Sequence, residues 1–431
     1  MVAKVNALVL ISMAIMATAQ NQQQATKPTG VCGTDITGTG QGDLDAIKGC
    51  KQFHGTITMH QPPVHQLTLA GVEEIIGDVL ITGSSSLRTL SAPNLKSVQG
   101  ELRISEHTGL QQLDLPTLQE TTGLTLSVLP ELEKIDFPAG LSKVQDLTIQ
   151  DTRATIIGGL KFDTLNKFTL TANTLMNSFD LQVKEISGEL YVVGNGDHME
   201  FKASQLGSLQ TGTLRNLDSV DLSGLTHVIS DLSFHQNDFT ALHLDSLQDI
   251  GGTLTIANNN RLSETSMKEL NLIRGALSVG NNTQLTSISG YPKLSAVYGT
   301  VDLAGGFDTY ELPSLQDVRG GMRIQSSSAK FPCPDIEKKF KESSVVKGSI
   351  WGCKSNMDVD SMDPTIGQGG GGTGGGGGIS GPAGGMNNKK QDGKPSSGAA
   401  NVAESAANTV SIIHGAYMSI VAAGLAFTFG L

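Results

Sequence analysis

The chain has 431 residues, a formal net charge of −11 and an aromatic content of 4%. The acidic balance, without any Lys/Arg-rich run, argues against nucleic acid as a partner. A chain of this length can bury a sizeable hydrophobic core.

The N-terminus reads MVAKVNALVLISMAIMATAQ, which is the pattern of a secretory signal peptide. Lys4 precedes an apolar run, and the small residues Ala17 and Ala19 suit cleavage by signal peptidase. We therefore predict a signal peptide at residues 1–19 that is removed on maturation. The alternative is a first helix that anchors the chain, but the apolar run is short for a stable span.

Four cysteines form two close pairs in the sequence, Cys32 with Cys50 and Cys333 with Cys353. An even number in a secreted chain implies disulfides, although the sequence leaves three pairings open. Pairing between neighbours is favoured because each pair flanks one end of a patterned region. We predict an N-terminal cap at 32–56 and a C-terminal cap at 331–354. A zinc site is disfavoured, since it would want closer Cys-x-x-Cys spacing.

A repeat occupies residues 57–330, where a short apolar strand begins about every 22 residues. A second apolar side chain usually follows two residues later, so both point to one face of the strand, inward. Leu214 is an exception, because Asn216 stands at its partner position. We expect an irregular coil there, and the sequence leaves two alternatives open, one continuous solenoid or two lobes with a break near 205–231. The aligned first positions are Ile57, Val79, Leu102, Leu124, Leu147, Phe168, Leu190, Leu214, Leu232, Leu254, Leu277, Val301 and Met322.

This period predicts an all-β fold, a right-handed parallel β-helix of stacked coils with disulfide-bonded ends. Asparagine recurs five residues after the first apolar position. In stacked coils such amides would come into register and pair with backbone groups of the turns above and below. We interpret them as a structural ladder rather than a ligand site. They are Asn173, Asn195, Asn237, Asn259 and Asn282.

The outward positions of this strand carry one carboxylate, Asp302, whereas glycoside hydrolysis needs a pair. Asp114, Asp136 and Asp245 stand singly in a second strand and are interpreted as solvated. Gly-x-Ser-x-Gly, His-Glu-x-x-His and Gly-Lys-Ser/Thr motifs are also missing. We predict no catalytic residue, cofactor or metal. Three histidines near the N-terminal cap are read as surface side chains rather than metal ligands: His54, His60 and His65.

One N-glycosylation sequon is present, Asn281-Asn282-Thr283. Asn281 immediately precedes a predicted ladder residue, so its side chain should point outward on a turn. We predict that Asn281 carries a glycan.

The C-terminal tail begins with a Gly-rich stretch, predicted to be a disordered linker over 355–400. The apolar segment TVSIIHGAYMSIVAAGLAFTFGL ends the sequence without a basic residue behind it. Small residues, a polar spacer and an apolar tail form the pattern of a GPI-attachment signal. We predict a propeptide at 401–431 and lipid attachment at Gly398, with Ser397 or Asn401 as alternatives. A C-terminal transmembrane helix is the rival interpretation, disfavoured by the missing cytoplasmic Lys or Arg.

The units resemble those of the fungal GPI-anchored cell-wall-organisation family, whose repeats resemble the L domains of insulin-type receptors. The resemblance covers about residues 32 to 353 and rests on Leu-x-Ile-x-x-Asn-x-x-Leu, on LPxL and APNL segments, on Gly closures and on WGC near the C-terminal cap. It implies leucine-rich-like coils and a role in wall integrity at the cell surface. The protein would be held at the outer leaflet of the plasma membrane by its lipid or transferred to wall glucan. Family stalks are usually Ser/Thr-rich, whereas this linker is Gly-rich.

Three functional hypotheses follow. The preferred one is a non-enzymatic surface scaffold that helps organise the wall. The alternative is a carbohydrate-binding receptor or adhesin, whose strand face of Thr, Ser, Arg and Gln engages glucan or chitin. A wall-remodelling transglycosidase ranks third because the outward strand face lacks a carboxylate pair.

Overall fold

A computed structural model describes residues 30–368, and the chain divides into one unit up to Lys161 and another from Phe162 onward. The predicted signal peptide, the linker beyond Gln368 and the GPI propeptide lie outside the described residues. So do the attachment candidates Ser397, Gly398 and Asn401. Within residues 30–368, no helix is long and apolar enough to cross a bilayer.

The first unit is built from short parallel strands. Two helical turns accompany them, a 3-10 helix at Val31–Gly33 and an α-helix at Gln41–Asp45. The strands are β1 (Ile36–Gly38), β2 (Gln52–His54), β3 (Ile57–His60), β4 (Gln66–Thr68), β5 (Glu74–Ile76), β6 (Val79–Thr82), β7 (Thr89–Ser91), β8 (Ser97–Ser105), β9 (Gln112–Asp114), β10 (Glu120–Leu129), β11 (Lys134–Leu141), β12 (Asp146–Thr152) and β13 (Ile156–Leu160).

Each coil passes through three faces, which we number in chain order. Face 1 holds the strand with the paired apolar residues, and its parallel ladder in the first unit runs β1–β3–β6–β8–β10–β12. Face 2 holds the next strand, with ladders β4–β7–β9 and β11–β13. Face 3 precedes the Gly closure and contains β2, β5 and the first residues of β8. The predicted parallel β-helix is confirmed.

The second unit repeats the same plan. Its helical segments are an α-helix at Cys333–Ile336, a π-helix at Glu337–Glu342 and a 3-10 helix at Val359–Ser361. The strands are β14 (Thr164–Leu165), β15 (Lys167–Thr171), β16 (Ser178–Asp180), β17 (Glu185–Val193), β18 (Glu200–Lys202), β19 (Ser208–Arg215), β20 (Ser219–Asp221), β21 (His227–Val228), β22 (Leu232–His235), β23 (Ala241–His243), β24 (Asp249–Ile250), β25 (Leu254–Ala257), β26 (Glu264–Ser266), β27 (Leu272–Ile273), β28 (Leu277–Gly280), β29 (Ser287–Ile288), β30 (Ala296–Val297), β31 (Thr300–Gly305), β32 (Thr309–Tyr310), β33 (Asp317–Val318), β34 (Gly321–Ser326) and β35 (Ile350–Lys354).

Face 1 of the second unit runs β15–β17–β19–β22–β25–β28–β31–β34–β35, all parallel. Its inward side chains stack as Leu232, Leu254 and Leu277 on successive coils, each fully buried. Fully burying such a side chain contributes roughly 1.5–3 kcal/mol. Because nearly every coil repeats this pair of apolar residues, the interior is a continuous column within the unit.

The alignment at Leu214 was wrong by two residues. Leu214 pairs with Val192 and Phe234, the second inward positions of their strands, and Gly212 occupies the first position beside Leu190 and Leu232. The reason is that Gly212 has no side chain, so its place in the apolar pattern is invisible in the sequence. The residue that directly follows the true pair, Arg215, lies in register with His235. The proposed division near 205–231 stays a prediction.

A residue with positive φ ends most face 1 strands, since the chain must turn sharply toward face 2. Most of these residues are Gly, Asn or other unbranched types, for which the left-handed region is accessible. Val128, at φ 53°, is the exception, because a β-branched side chain is disfavoured in this conformation. This turn therefore carries local strain.

Both predicted disulfides form between neighbours. Cys32 is bonded to Cys50, and Cys333 is bonded to Cys353. The caps also extend the coil stack, because Ile36 pairs in register with Ile57, and Trp351 pairs with Met322. Each disulfide therefore fastens a terminal strand of face 1 to its own unit.

Candidate functional site

The predicted asparagines of the second unit lie in the turn from face 1 to face 2. Asn259 is fully buried, and its Oδ1 accepts hydrogen bonds from the backbone N and the Nδ2 of Asn237, each at 2.9 Å. Its Nδ2 donates to Phe234 O at 3.1 Å and to Asn282 Oδ1 at 3.0 Å. One amide therefore pairs with both neighbouring coils, and the same pattern links Asn173 with Asn195 at 3.0 Å.

A histidine takes this role in the first unit, and the sequence analysis missed it. His107 is fully buried, with Nδ1 accepting from Ser84 N at 3.1 Å and Nε2 lying 2.9 Å from Ile81 O. These contacts fix the neutral tautomer with its proton on Nε2. Burial lowers the pKa of His107. The signal was present, because His107 stands five residues after Leu102, but a search for asparagine alone passed over it.

The sequon lies beside this turn on the solvent side. Asn281 is exposed with φ 54°, and its Nδ2 donates to Asn258 Oδ1 at 2.7 Å. Thr283 Oγ1 donates to Asn260 O at 2.9 Å. Glycosylation of Asn281 stays a prediction.

Asp302 on face 1 is held in an ion pair. Arg323 donates from Nε to Asp302 Oδ1 at 2.8 Å and from Nη2 to Oδ2 at 2.7 Å, and Thr300 Oγ1 adds a bond of 3.0 Å. The Asp302 side chain is 4% exposed, against 24% for Arg323. Such a bidentate pair occupies both carboxylate oxygens, so neither is turned toward a substrate.

The beginning of the expected linker packs on this same surface. Residues 356–368, which we call the strap, return across face 1 of the second unit. Met357 N donates to Ser326 O at 3.1 Å, and Asp363 N donates to Gln325 Oε1 at 2.8 Å. Ile366 at the far end is 6% exposed. The expectation of a free linker from residue 355 is therefore wrong for this part, because buried contacts hold it.

A cleft of about 420 Å³ opens on face 2 of the first unit, between β9 and β11. These two strands belong to separate ladders. Gln112 and Asp114 line one side, and Lys134 and Asp136 line the other. Asp114 and Asp136, which the sequence analysis interpreted as single solvated positions, lie on successive coils and both line this cleft. Gln112 Nε2 donates to Asp114 Oδ2 at 2.6 Å, and Lys134 Nζ lies 3.2 Å from Asp136 Oδ2.

Asp245 is likewise not simply solvated, since Lys268 Nζ and Ser266 Oγ both donate to its carboxylate at 2.5 Å. Among the described residues, no group of three His, Cys, Asp or Glu side chains is arranged to hold a metal. His60 Nδ1 lies 3.2 Å from Thr82 Oγ1, and His54 Nε2 lies 2.9 Å from Gln52 Oε1.

The chain is 31% identical over 320 residues to a "Cell surface GPI-anchored protein" of Arthroderma benhamiae, covering 74% of this chain and 82% of that relative. It belongs to the family of fungal GPI-anchored cell-surface proteins. Protein ecm33 of Aspergillus fumigatus is 28% identical over 321 residues, covering 74% and 79% of the two chains. Cell wall protein ecm33 of Schizosaccharomyces pombe is 26% identical over 320 residues, covering 74% and 75%. No family model matches the chain.

Membership of this fungal GPI-anchored family confirms the cell surface and the wall as the location. Two surfaces stand out among the described residues. They are the cleft on face 2 of the first unit and the strap-covered part of face 1 in the second. One is open and polar, and the other is occupied by the chain itself.

Proposed function

We propose that this chain is a non-enzymatic scaffold of the fungal cell surface, held by a lipid on its C-terminal tail and needed for wall organisation. The observation that carries the proposal is the hydrogen-bonded turn between face 1 and face 2. Asn237, Asn259 and Asn282 each bond to backbone groups of the preceding coil. Coils locked to one another in this way give a stiff element.

The state of Asp302 supports the non-enzymatic part of the proposal. A glycosidase-type acid or base must exchange a proton with substrate, and Asp302 is instead paired with Arg323 at both oxygens. The pair therefore supports a structural role for Asp302, because it links two neighbouring coils without any substrate.

Complementation of fungal cells that lack the chain tests this function. We expect wild type to restore resistance to wall-perturbing dyes, and a chain ending at Gln368 to be secreted without restoring it. Asp302→Asn paired with Arg323→Gln should restore resistance as well as wild type at equal abundance. Full rescue by the untethered chain would overturn the scaffold, and loss of rescue by the paired variant at wild-type abundance would overturn the non-enzymatic assignment.

The second candidate function is recognition of wall glucan, favoured by the face 2 cleft. Its carboxylates can accept bonds from sugar hydroxyls, while Gln112 and Lys134 can donate to them. The prolines Pro116 and Pro138 supply apolar edges against which a sugar ring can lie.

Binding of soluble β-glucan oligosaccharides to the purified chain tests this candidate by calorimetry. Asp114→Asn and Asp136→Asn should each weaken binding about tenfold, as expected for loss of a hydrogen bond to a charged group. Asp180→Asn is the matched control, because Asp180 lies on face 2 of the second unit within an intact ladder. Equal affinities in all three variants would exclude the cleft.

A further inference from the structure

The strap covers one patch of face 1 and leaves the equivalent positions of other coils uncovered. The second outward position is half-buried at Thr171 and Val193, but it is buried at Ala257, Gly280 and Ala304. Within the second unit, this difference in burial coincides with the strap. The part of face 1 from Thr255 to Gln325 under the strap is called here the groove.

The groove is shaped to admit a backbone. A Cβ placed on Gly280 would lie 2.4 Å from Gly367 O, and one placed on Gly367 would lie 2.6 Å from Gly280 Cα. Gly367 also has φ +80°, a conformation that favours glycine. Two glycines in direct contact therefore let the strap lie against the sheet, and a larger residue at either place would push it off.

Polar contacts fix the register of the strap along the groove. Asn258 Nδ2 donates to Gln368 Oε1 at 2.8 Å near one end, and Gln325 Oε1 accepts from Asp363 N near the middle. Hydrogen bonds from Thr365 lower the pKa of Asp363, and the positive charge of nearby Arg323 lowers it further. Side chains of face 1 therefore hold the strap in place, in addition to the close fit between Gly280 and Gly367.

The path of the strap determines how it would respond to a pull. It starts near Ser326 and Ser328, and it ends on earlier coils at Gly280 and Asn258. The Gly-rich sequence and the predicted lipid site both follow Gln368. Tension from the anchor would therefore load the Asn258–Gln368 contact first and the remaining contacts one after another, which is a peeling geometry.

We propose that the groove is a docking site for one segment of this chain, residues 356–368, and that tension on the tail peels this strap away and exposes the groove. At rest the strap lies in place and closes the surface. Under load the patch of Ala257, Gly280 and Ala304 becomes open to solvent. The proposal rests on anchoring through the tail, but the groove contacts can be tested without the lipid or any wall role.

The proposal is tested by measuring thiol accessibility in the secreted chain. The chain is tethered by biotin at Gly398 and at its mature N-terminus. All four native cysteines are in disulfides, so Ala257→Cys introduces one free thiol under the strap. Without load it should react with a maleimide dye about tenfold or more slower than Thr171→Cys on an uncovered coil, because reaction requires local opening. Under load, Ala257→Cys should approach the rate of Thr171→Cys, which should not change.

Two further experiments distinguish release of the strap from a general loosening of the fold. Gly280→Leu combined with Ala257→Cys should react fast without load, since the strap cannot seat, while circular dichroism stays that of wild type. A synthetic peptide of residues 356–368 should slow the reaction of loaded Ala257→Cys again. The same rate of Ala257→Cys labelling with and without load would overturn the peeling mechanism. Failure of the peptide to protect would overturn the docking site.

Discussion

Ser84 and His107 reproduce, in the first unit, the relationship that Leu217 and Asn237 have in the second. The backbone N of Ser84 donates to Nδ1 of His107 at 3.1 Å, and the backbone N of Leu217 donates to Oδ1 of Asn237 at 3.0 Å. An imidazole and a carboxamide each place an acceptor atom and a donor atom on either side of one carbon of a planar group. The turn therefore requires this pattern of groups rather than one residue type.

Replacing His107 by asparagine should keep the turn intact. We expect His107→Asn to change the free energy of unfolding by less than about 1 kcal/mol, within the range of a substitution that preserves hydrogen bonds. His107→Leu should be destabilising by about 1–3 kcal/mol for each backbone group left unpaired, namely Ser84 N and Ile81 O. Urea denaturation measures both, with exposed His65→Asn as the control. Equal destabilisation by asparagine and leucine would show that packing, and not hydrogen bonding, governs this position.

The same histidine should make stability depend on pH. Protonation would place a hydrogen on Nδ1, opposite the Ser84 N–H, so two donors would face each other. Because burial lowers the folded-state pKa of His107, its contribution is complete above the unfolded pKa of about 6.5 and is lost as pH falls toward the folded value. The urea midpoint of wild type should therefore fall from pH 7 to pH 5 more than that of His107→Asn. Parallel pH profiles for the two proteins would contradict this assignment.

Asn259 should be among the most sensitive polar positions of the second unit. Asn259→Leu leaves Asn237 N and Phe234 O without their side-chain partner, which we expect to cost about 1–3 kcal/mol for each group. Asn260 is the matched control, since it is the next residue and its side chain is exposed. Asn260→Leu should stay within about 0.5 kcal/mol of wild type. Similar losses for the two leucine variants in thermal denaturation would argue against a ladder that stabilises the fold.

Val128 offers a stabilising substitution. Its positive φ is unfavourable for a β-branched side chain and accessible to asparagine or glycine. Val128→Asn should raise the free energy of unfolding by about 1 kcal/mol. The matched control is Thr125→Asn, a half-buried position earlier in the same strand β10, which should not be stabilising. A higher thermal midpoint for the control than for Val128→Asn would be inconsistent with relief of turn strain.

The period of apolar residues was enough to predict the coils, because inward side chains must recur wherever a coil returns to the same face. The predicted register was wrong at Gly212, because the stacked position there carries no side chain and Leu214 was aligned in its place. The sequence predicted the ladder only on coils where the residue at this position is asparagine. His107 stands at the same offset but is a different residue type, so only its contacts reveal the shared role.

Surface features were harder to predict than the core. Asp114 and Asp136 are separated by one coil length in sequence, and their meeting in one cleft depends on how face 2 ladders are interrupted. The strap was hidden for another reason. Its residues precede a Gly-rich run and show no strand period, so composition grouped them with the linker. The small residues that the strap covers, Ala257, Gly280 and Ala304, lie on three earlier coils, far from it in sequence.

Attachment through the C-terminal tail is the claim on which the surface scaffold depends. Membranes from cells expressing the full chain should be treated with phosphatidylinositol-specific phospholipase C, and the released protein analysed by mass spectrometry of its C-terminal peptide. The account predicts release into the soluble fraction with a lipid-anchor remnant on Gly398 or its neighbours Ser397 and Asn401. A chain that stays in the membrane and yields peptides extending to Leu431 would contradict it.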